Sequence, residues 1–353
     1  SMGFISLVIT AFVYACKYWI LHGVFGQIEA DVMHHADVYL LIVTASIPFI
    51  ALYNGGAAVF RAMGNSEVSM KVSLLMNAIN VSGNAILIYG FHCGTEGVAI
   101  PTLVSRFVAA FIIIKLLLKD KWSLHLERTY RFNPDWSMIR KILSVGIPNG
   151  LENSMFQLGK VLVLSLVSTF GTYAIAANAV SNVITLFSIL PGQAICLAVT
   201  TVIARCVGAG DYEQAKYYNK KLILLTHIGM AITIFIVFIT LPFILKVYNL
   251  SEAASEATRH IIWFHGFCAI LIWAESFTLP ATFRACGDAK ACMIISTVSM
   301  WIFRVGASYI LGKNLGLGVF GVWVAMIIDW AFRSLLFGIR YFSGKWKKHA
   351  LVS

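Results

Sequence analysis

Three acidic residues stand inside long apolar stretches of this sequence: Glu152, Glu275 and Asp329. A charge at mid-bilayer costs at least about 2.5–3.5 kcal/mol on insertion scales, so each calls for a chemical reason. A carboxyl group in a low-dielectric cavity can take up and release a proton near neutral pH. Such a group can hold either a proton or a cationic ligand, which is the chemistry of exchange. Glu152 lies four residues after Pro148, within Leu151-Glu152-Asn153-Ser154-Met155-Phe156-Gln157. Proline frees backbone carbonyls and bends a helix, and Pro191 is a second candidate bending point. Asn153 and Gln157 share a helix face at i and i+4. The plain structural reading pairs Glu152 with Lys160, two turns on, although direct contact would need the helix to bend. Glu275 stands nine residues before Arg284, about 13 Å along a helix at 1.5 Å per residue. That puts it near mid-depth, and Trp263 and Trp273 could line a cavity there by cation–π contact. Asp329 is spaced i, i+4 from Arg333, so a salt bridge is expected. Arg106, Arg304 and Lys17 are expected to be paired or to snorkel.

Other constellations are missing from the pattern. The seven cysteines (Cys16, Cys93, Cys196, Cys206, Cys268, Cys286, Cys292) have no metal-ligand or redox spacing and read as reduced apolar residues. His34 and His35 fall in a predicted outer loop. His227, His260 and His265 are scattered, so no metal site is expected. Gly208-Ala209-Gly210 lacks the Lys-Ser/Thr of a phosphate loop, which argues against a built-in ATP motor. No His/Asp or Asp-rich set suggests a membrane-embedded acyl or prenyl transferase, and an enzyme is not expected.

The elements that must carry these residues follow from composition. The chain has 353 residues, 59% hydrophobic and only 12% charged, with a mean hydropathy of +0.80. Soluble domains carry about 25% charged residues, so the sequence reads as an all-α integral membrane protein. Ten stretches approach the roughly 20 residues that cross a bilayer: 3–22, 38–60, 68–90, 98–118, 139–167, 172–204, 222–247, 260–283, 291–311 and 319–342. The net charge of +11 is distributed by side. Alternate loops hold Arg61 and Lys71; Lys119, Lys121, Arg128, Arg131, Arg140 and Lys141; Arg205, Lys216, Lys220 and Lys221; Arg284 and Lys290. The tail adds Arg340, Lys345, Lys347 and Lys348. The intervening loops hold Glu29, Asp31, Asp37, Glu96, Glu252 and Glu256, with few bases. The positive-inside rule then places the basic loops and both termini in the cytoplasm. The charge reports topology and contact with membrane lipids, not nucleic acid.

An internal repeat organises these spans. Phe60-Arg61-Ala62-Met63-Gly64-Asn65 recurs as Phe283-Arg284-Ala285-Cys286-Gly287-Asp288, at an offset of 223 that also relates Met70 to Met293 and Gly83 to Gly306. Both copies sit at a predicted cytoplasmic helix end, so the repeats are parallel. The motif itself reads as structural, with Arg for lipid phosphate and Gly for the turn. The offset predicts an amino-terminal lobe over 1–130 with four helices and a carboxy-terminal lobe over 131–353 with six. It also implies that the first two helices of a six-plus-six protein lie outside this sequence.

These residues resemble the multidrug and toxic compound extrusion (MATE) family of cation-coupled antiporters. The likeness is carried by Gly146-Ile147-Pro148 with Glu152 to Gly159, Ala176-Ala177-Asn178, and Gly208-Ala209-Gly210-Asp211 with Ala215-Lys216. The Arg61 and Arg284 turns, and Asn80, Asn84 and Ile88-Tyr89-Gly90, add to it. The resemblance implies a parallel-repeat, two-lobe transporter bundle that rocks around a central cavity. It implies an acidic cation site in the helix of Glu152, and often one in the helix of Glu275. Asn54, Asn80, Asn84 and Thr102 match polar positions that help bind the coupling cation in some members, though Asn84 stands where some members have Asp. The implied function is multidrug efflux at the plasma membrane by a multi-pass monomer, exchanging organic, cationic small molecules for H+ or Na+ without another cofactor. The alternatives are a lipid-linked oligosaccharide flippase of the same superfamily, for which Lys160, Arg304 and Arg106 would supply a basic cavity, and a non-transporting fragment.

Overall fold

The computed structural model describes residues 2–19, 21, 30–126 and 135–349, and every regular element among them is helical. In chain order the helices are α1 (Met2–Trp19), α2 (Ala30–Ala45), α3 (Ile47–Ala62), α4 (Ser66–Ala85), α5 (Glu96–Leu117), α6 (Trp136–Ser168) and α7 (Thr172–Gly208). They continue as α8 (Tyr212–Tyr248), α9 (Glu252–Trp273), α10 (Leu279–Ala285), α11 (Ala289–Ser299) and α12 (Gly318–Phe342). π-helical turns occupy Ile86–Gly90, Ala274–Thr278, Met300–Gly306 and Tyr309–Asn314. The chain divides into two compact units, residues 1–135 and 136–353. The lobe boundary expected at 130, together with Arg128, Arg131 and Glu29, lies outside the described residues.

Among the described residues seven helical spans are long and apolar enough to cross a membrane, or eight if α2 and α3 count as one. The α2–α3 pair bends by 40° around Ser46, where Pro48 follows in the first turn of α3 and cannot donate a backbone hydrogen bond. Two of the ten expected stretches fall short. The apolar part of α1 covers only Gly3–Trp19, and α6 is diluted by Arg140, Lys141, Glu152 and Lys160. His34 and His35, expected in a loop, lie within α2.

The repeat is visible in backbone geometry within each unit. Gly64 and Gly287 end their helices in the left-handed region, at φ 83° and 87°, where a Cβ would be strained. In both turns the amide four residues after the arginine closes back on a phenylalanine carbonyl: Asn65 N–H to Phe60 O and Asp288 N–H to Phe283 O, each at 2.9 Å. The offset of 223 also carries the π-helical turn that starts at Ile86 onto the one that starts at Tyr309.

Each unit buries its own apolar core. In residues 1–135 it gathers Tyr53, Ala57, Phe60, Ile113 and Leu117. In residues 136–353 one cluster holds Leu166, Met230, Trp273, Trp323 and Trp330, and a second holds Ile203, Phe283, Phe337 and Trp346. The Trp273 ring presses against Gly192 of α7, where a Cβ would meet it at 2.2 Å. Outside these cores the helices expose rows of large apolar side chains, such as Ile232, Phe235, Ile239 and Phe243 on α8. A surface of that kind is stable only against hydrocarbon.

Candidate functional site

The carboxylates of α6 and of the α9–α10 segment lie in the same unit, and each is held by one basic side chain. Glu152 is 8% exposed, one turn beyond Pro148, inside a helix that runs unbroken through the proline. Its partner is not Lys160 but Arg284, whose Nη2 donates to both carboxylate oxygens at 2.8 and 3.0 Å. Charge-assisted bonds of this type are about twice as strong as neutral ones. The arginine of the repeated turn therefore has a second task besides ending a helix, since it reaches back to neutralise an acid 132 positions earlier. Arg284 Nε is buried without a partner. Lys160 lies instead over the Phe156 ring, its Nζ 5.0 Å from the centroid. Asn153 donates to the Asn149 carbonyl at 2.8 Å, and Gln157 is exposed. Neither amide hydrogen-bonds Glu152.

Glu275 sits in the π-helical turn Ala274–Thr278. The extra residue of such a turn aims side chains off the regular helical stripe, and π-turns recur at functional sites. Its Oε1 lies 2.9 Å from His227 Nε2 of α8, while His227 Nδ1 lies 2.6 Å from the Ile270 carbonyl. A carbonyl oxygen only accepts, so Nδ1 carries a hydrogen and donates it. The Nε2–Oε1 contact then holds one further proton, shared between imidazole and carboxylate. The other carboxylate oxygen of Glu275, Oε2, is buried without a partner among the described residues. His227 was missed by reading histidines for metal spacing. An imidazole inside the apolar run Leu224-Leu225-Thr226-His227-Ile228 carries the same desolvation argument as an acid there.

Asp329 and Arg333 do not form the expected salt bridge. Asp329 is fully buried and accepts from Ser299 Oγ at 2.5 Å. Arg333 donates from Nη2 to the Ser276 carbonyl at 3.2 Å and lies over Phe277 at 4.6 Å. Both side chains turn toward neighbouring elements rather than along α12. Trp273 is 1% exposed and stacks on Phe277 at 5.0 Å, so it is core, not cavity wall. Trp263 stacks on Phe238 at 4.1 Å. Pro191 lies inside the unbroken α7 and packs near Gly229.

The polar residues of unit 1–135 divide. Asn84 Nδ2 donates to Asn80 Oδ1 at 3.3 Å, and Asn80 Nδ2 donates to Thr102 Oγ1 at 3.1 Å. Thr102 donates in turn to the Val98 carbonyl at 2.9 Å. This chain ties α4 to α5 and leaves Asn84 Oδ1 buried without a partner. Asn54 is exposed on α3 and takes no part in it. Lys17 pairs with Asp37 at 2.6 Å, and Arg106 donates to Ser46 Oγ at 2.6 Å.

Comparison with other proteins finds relatives in sequence and in fold. The chain is 26% identical, over 95% of its own length and 72% of the relative's, to a protein named as a probable multidrug resistance protein NorM of Thermotoga maritima. It is 27% identical, over 97% of itself and 75% of the relative, to the uncharacterized transporter YisQ of Bacillus subtilis. A solved structure described as the outward-facing conformation of a multidrug resistance MATE family transporter superposes with a TM-score of 0.88 at 19% identity. That match covers 98% of this chain and 78% of the other. The MatE family profile matches residues 2–86 and 148–310, which include Asn54, Asn80 and Asn84 in the first stretch and Glu152, His227, Glu275 and Arg284 in the second. This chain belongs to the MatE family.

Proposed function

We propose that this multi-pass membrane protein is a secondary active transporter that expels organic small molecules across the plasma membrane in exchange for protons. The family, and the multidrug resistance proteins among its relatives, support efflux of drug-like compounds. Parallel-repeat transporters of this kind work by rocking two lobes around a central site. The alternation of basic and acidic loops supports a topology with both termini in the cytoplasm. A single chain would suffice for the cycle, with lipid as its surround.

The observation that carries the exchange reading is that Glu152 is buried and balanced by Arg284 alone. Adding a proton to Glu152 removes the negative charge and leaves a guanidinium without its counter-ion. Breaking a buried pair in this way costs on the order of 3–5 kcal/mol, unless α6 or α10 moves so that Arg284 finds another acceptor. Proton uptake is thereby tied to a movement of helices, which is what coupling requires.

The donors present support a proton as the coupling ion. A sodium ion needs a shell of oxygen ligands. The carboxylate oxygens of Glu152 face guanidinium N–H, and Oε1 of Glu275 faces an imidazole. Both arrangements suit a proton better than a metal cation. The His227–Glu275 contact, which already shares a proton, would be a second carrier. With everted vesicles containing the protein, addition of a transported substrate should release protons from the acidified lumen. Glu152→Gln should abolish that release while leaving the protein folded. Unchanged proton movement in that variant would remove Glu152 from the mechanism, and dependence on sodium in place of a pH gradient would overturn the proton reading.

A further inference from the structure

Unit 136–353 contains a second polar feature, separate from Glu152 and Glu275. A cavity of about 240 Å³ is lined by Lys160 of α6, Asn178 and Asn182 of α7, Arg304 of the π-helical turn Met300–Gly306, and Trp323 and Met326 of α12. Every charged group on its wall is a cation. Lys160 Nζ and the Arg304 guanidinium both lie over the Phe156 ring, at 5.0 and 5.2 Å. Neither stands within ion-pair distance of a carboxylate among the described residues.

The nearby acids are committed elsewhere. Glu152 is neutralised by Arg284 and Glu275 by His227. Asp329 is the carboxylate whose charge acts on Arg304, but the same Asp329 also acts on Arg333 and is bonded to Ser299. Lys160 and Arg304 thus share the cavity wall without a carboxylate beside either. Lys160 is exposed and Arg304 half-buried, and two like charges held on one wall repel each other, a cost that a bound anion relieves.

The neutral groups on the wall point the same way. Trp323 Nε1 donates to Asn178 Oδ1 at 3.1 Å, which commits the amide oxygen and turns the Asn178 NH2 group free as a donor. Asn182 is fixed by its own bond to the Asn178 carbonyl at 2.8 Å. The remaining wall, Val163, Leu164, Val322 and Met326, is apolar. Drug-sized ligands usually occupy about 300–1,000 Å³, so this space fits the charged end of a molecule and the first ring or chain attached to it.

We propose that this cavity seats the oxyanion group, a carboxylate or phosphate, of an amphipathic molecule, held by Lys160, Arg304 and the Asn178 amide. Resting on the efflux reading above, it extends the substrate class to organic anions and zwitterions.

The test is binding of naphthoate to the purified full chain in nanodiscs, against neutral naphthamide and cationic naphthylmethylammonium. Naphthoate should bind more tightly than either, and Arg304→Gln or Lys160→Gln should weaken it about ten-fold, as expected for loss of one charged hydrogen bond. Arg304→Lys should restore part of the affinity, and the thermal unfolding midpoint of each variant reports folding. Equal affinity for the three probes, or variants that fold and bind naphthoate like the parent chain, would overturn the site. Phosphatidylglycerol nanodiscs that compete with naphthoate, where phosphatidylcholine nanodiscs do not, would identify a lipid headgroup as the oxyanion; equal affinity in both would identify the free anion. Binding without transport in vesicles would leave the site standing and sink the efflux reading, whereas intact transport without naphthoate binding would sink the site alone.

Discussion

Glu152 and Arg284 form a pair whose two halves have different fates when one is removed. Arg284→Gln leaves a buried carboxylate with no counter-ion, and the loss should be about 3–5 kcal/mol. The double variant Glu152→Gln, Arg284→Gln replaces charge with two amides able to bond one another, and should recover much of that loss. Unfolding of all four proteins in mixed detergent measures the coupling; losses that simply add would show that the two side chains act independently. At this scale the acids were legible in the sequence and their partners were not. A carboxylate inside an apolar run announces itself by its desolvation cost. Its partner, 132 positions away for Glu152 and 48 for Glu275, is set by how helices cross, which spacing along one helix does not contain. The same reason explains Asp329: i, i+4 spacing permits contact with Arg333, but Asp329 bonds Ser299 and Arg333 bonds the Ser276 carbonyl, both on neighbouring segments.

Helices in this protein are placed by small residues as much as by large ones. Gly192 allows α7 to press against the Trp273 ring, and a Cβ there would lie 2.2 Å from it. The ring is itself fully buried and stacked on Phe277, so it has nowhere to retreat. Gly192→Leu should therefore push α7 away from α9 and destabilise the unit by roughly 1–3 kcal/mol or more, the usual range for overpacking, seen as a lower unfolding midpoint. A wild-type midpoint would mean that α7 and α9 slide freely. Because Trp273 leads directly into the π-helical turn that carries Glu275, the same variant should weaken proton coupling even where the protein survives. Helix positions were readable from apolar length, and the repeated Arg-x-x-Gly turns from the offset of 223. The π-helical turns were not, since an added residue in a helix leaves no mark on a run that is apolar on all sides.

At the scale of the molecule, the arrangement of ends within unit 136–353 bears on topology. Arg340, near the end of α12, donates to both oxygens of Asp288 at 2.5 and 2.9 Å, tying that end to the α10–α11 turn. Lys347 reaches Glu213 at the start of α8 at 3.5 Å, and buried Trp346 packs on Tyr212 and Tyr341. Three segments rich in basic residues thus share one end of the unit. The α8–α9 connection, with exposed Glu252 and Glu256, lies a full α8 length of 37 residues away, about 55 Å at 1.5 Å per residue. If the basic end is cytoplasmic, a cysteine introduced at Ser343 and one at Glu256 must face opposite compartments. A membrane-impermeant maleimide added to intact cells should label Glu256→Cys and spare Ser343→Cys, and everted vesicles should reverse the pattern. The native Cys286 thiol at the basic end should not confuse the reading: burial, reinforced by the Asp288 charge, pushes it up to about 12, and the thiolate is the reactive form. Labelling of Ser343→Cys from outside would invert the topology. The direction of exchange would survive that inversion, because the inward proton gradient, not the insertion of the carrier, drives substrate outward, so the labelling tests topology independently of the efflux reading.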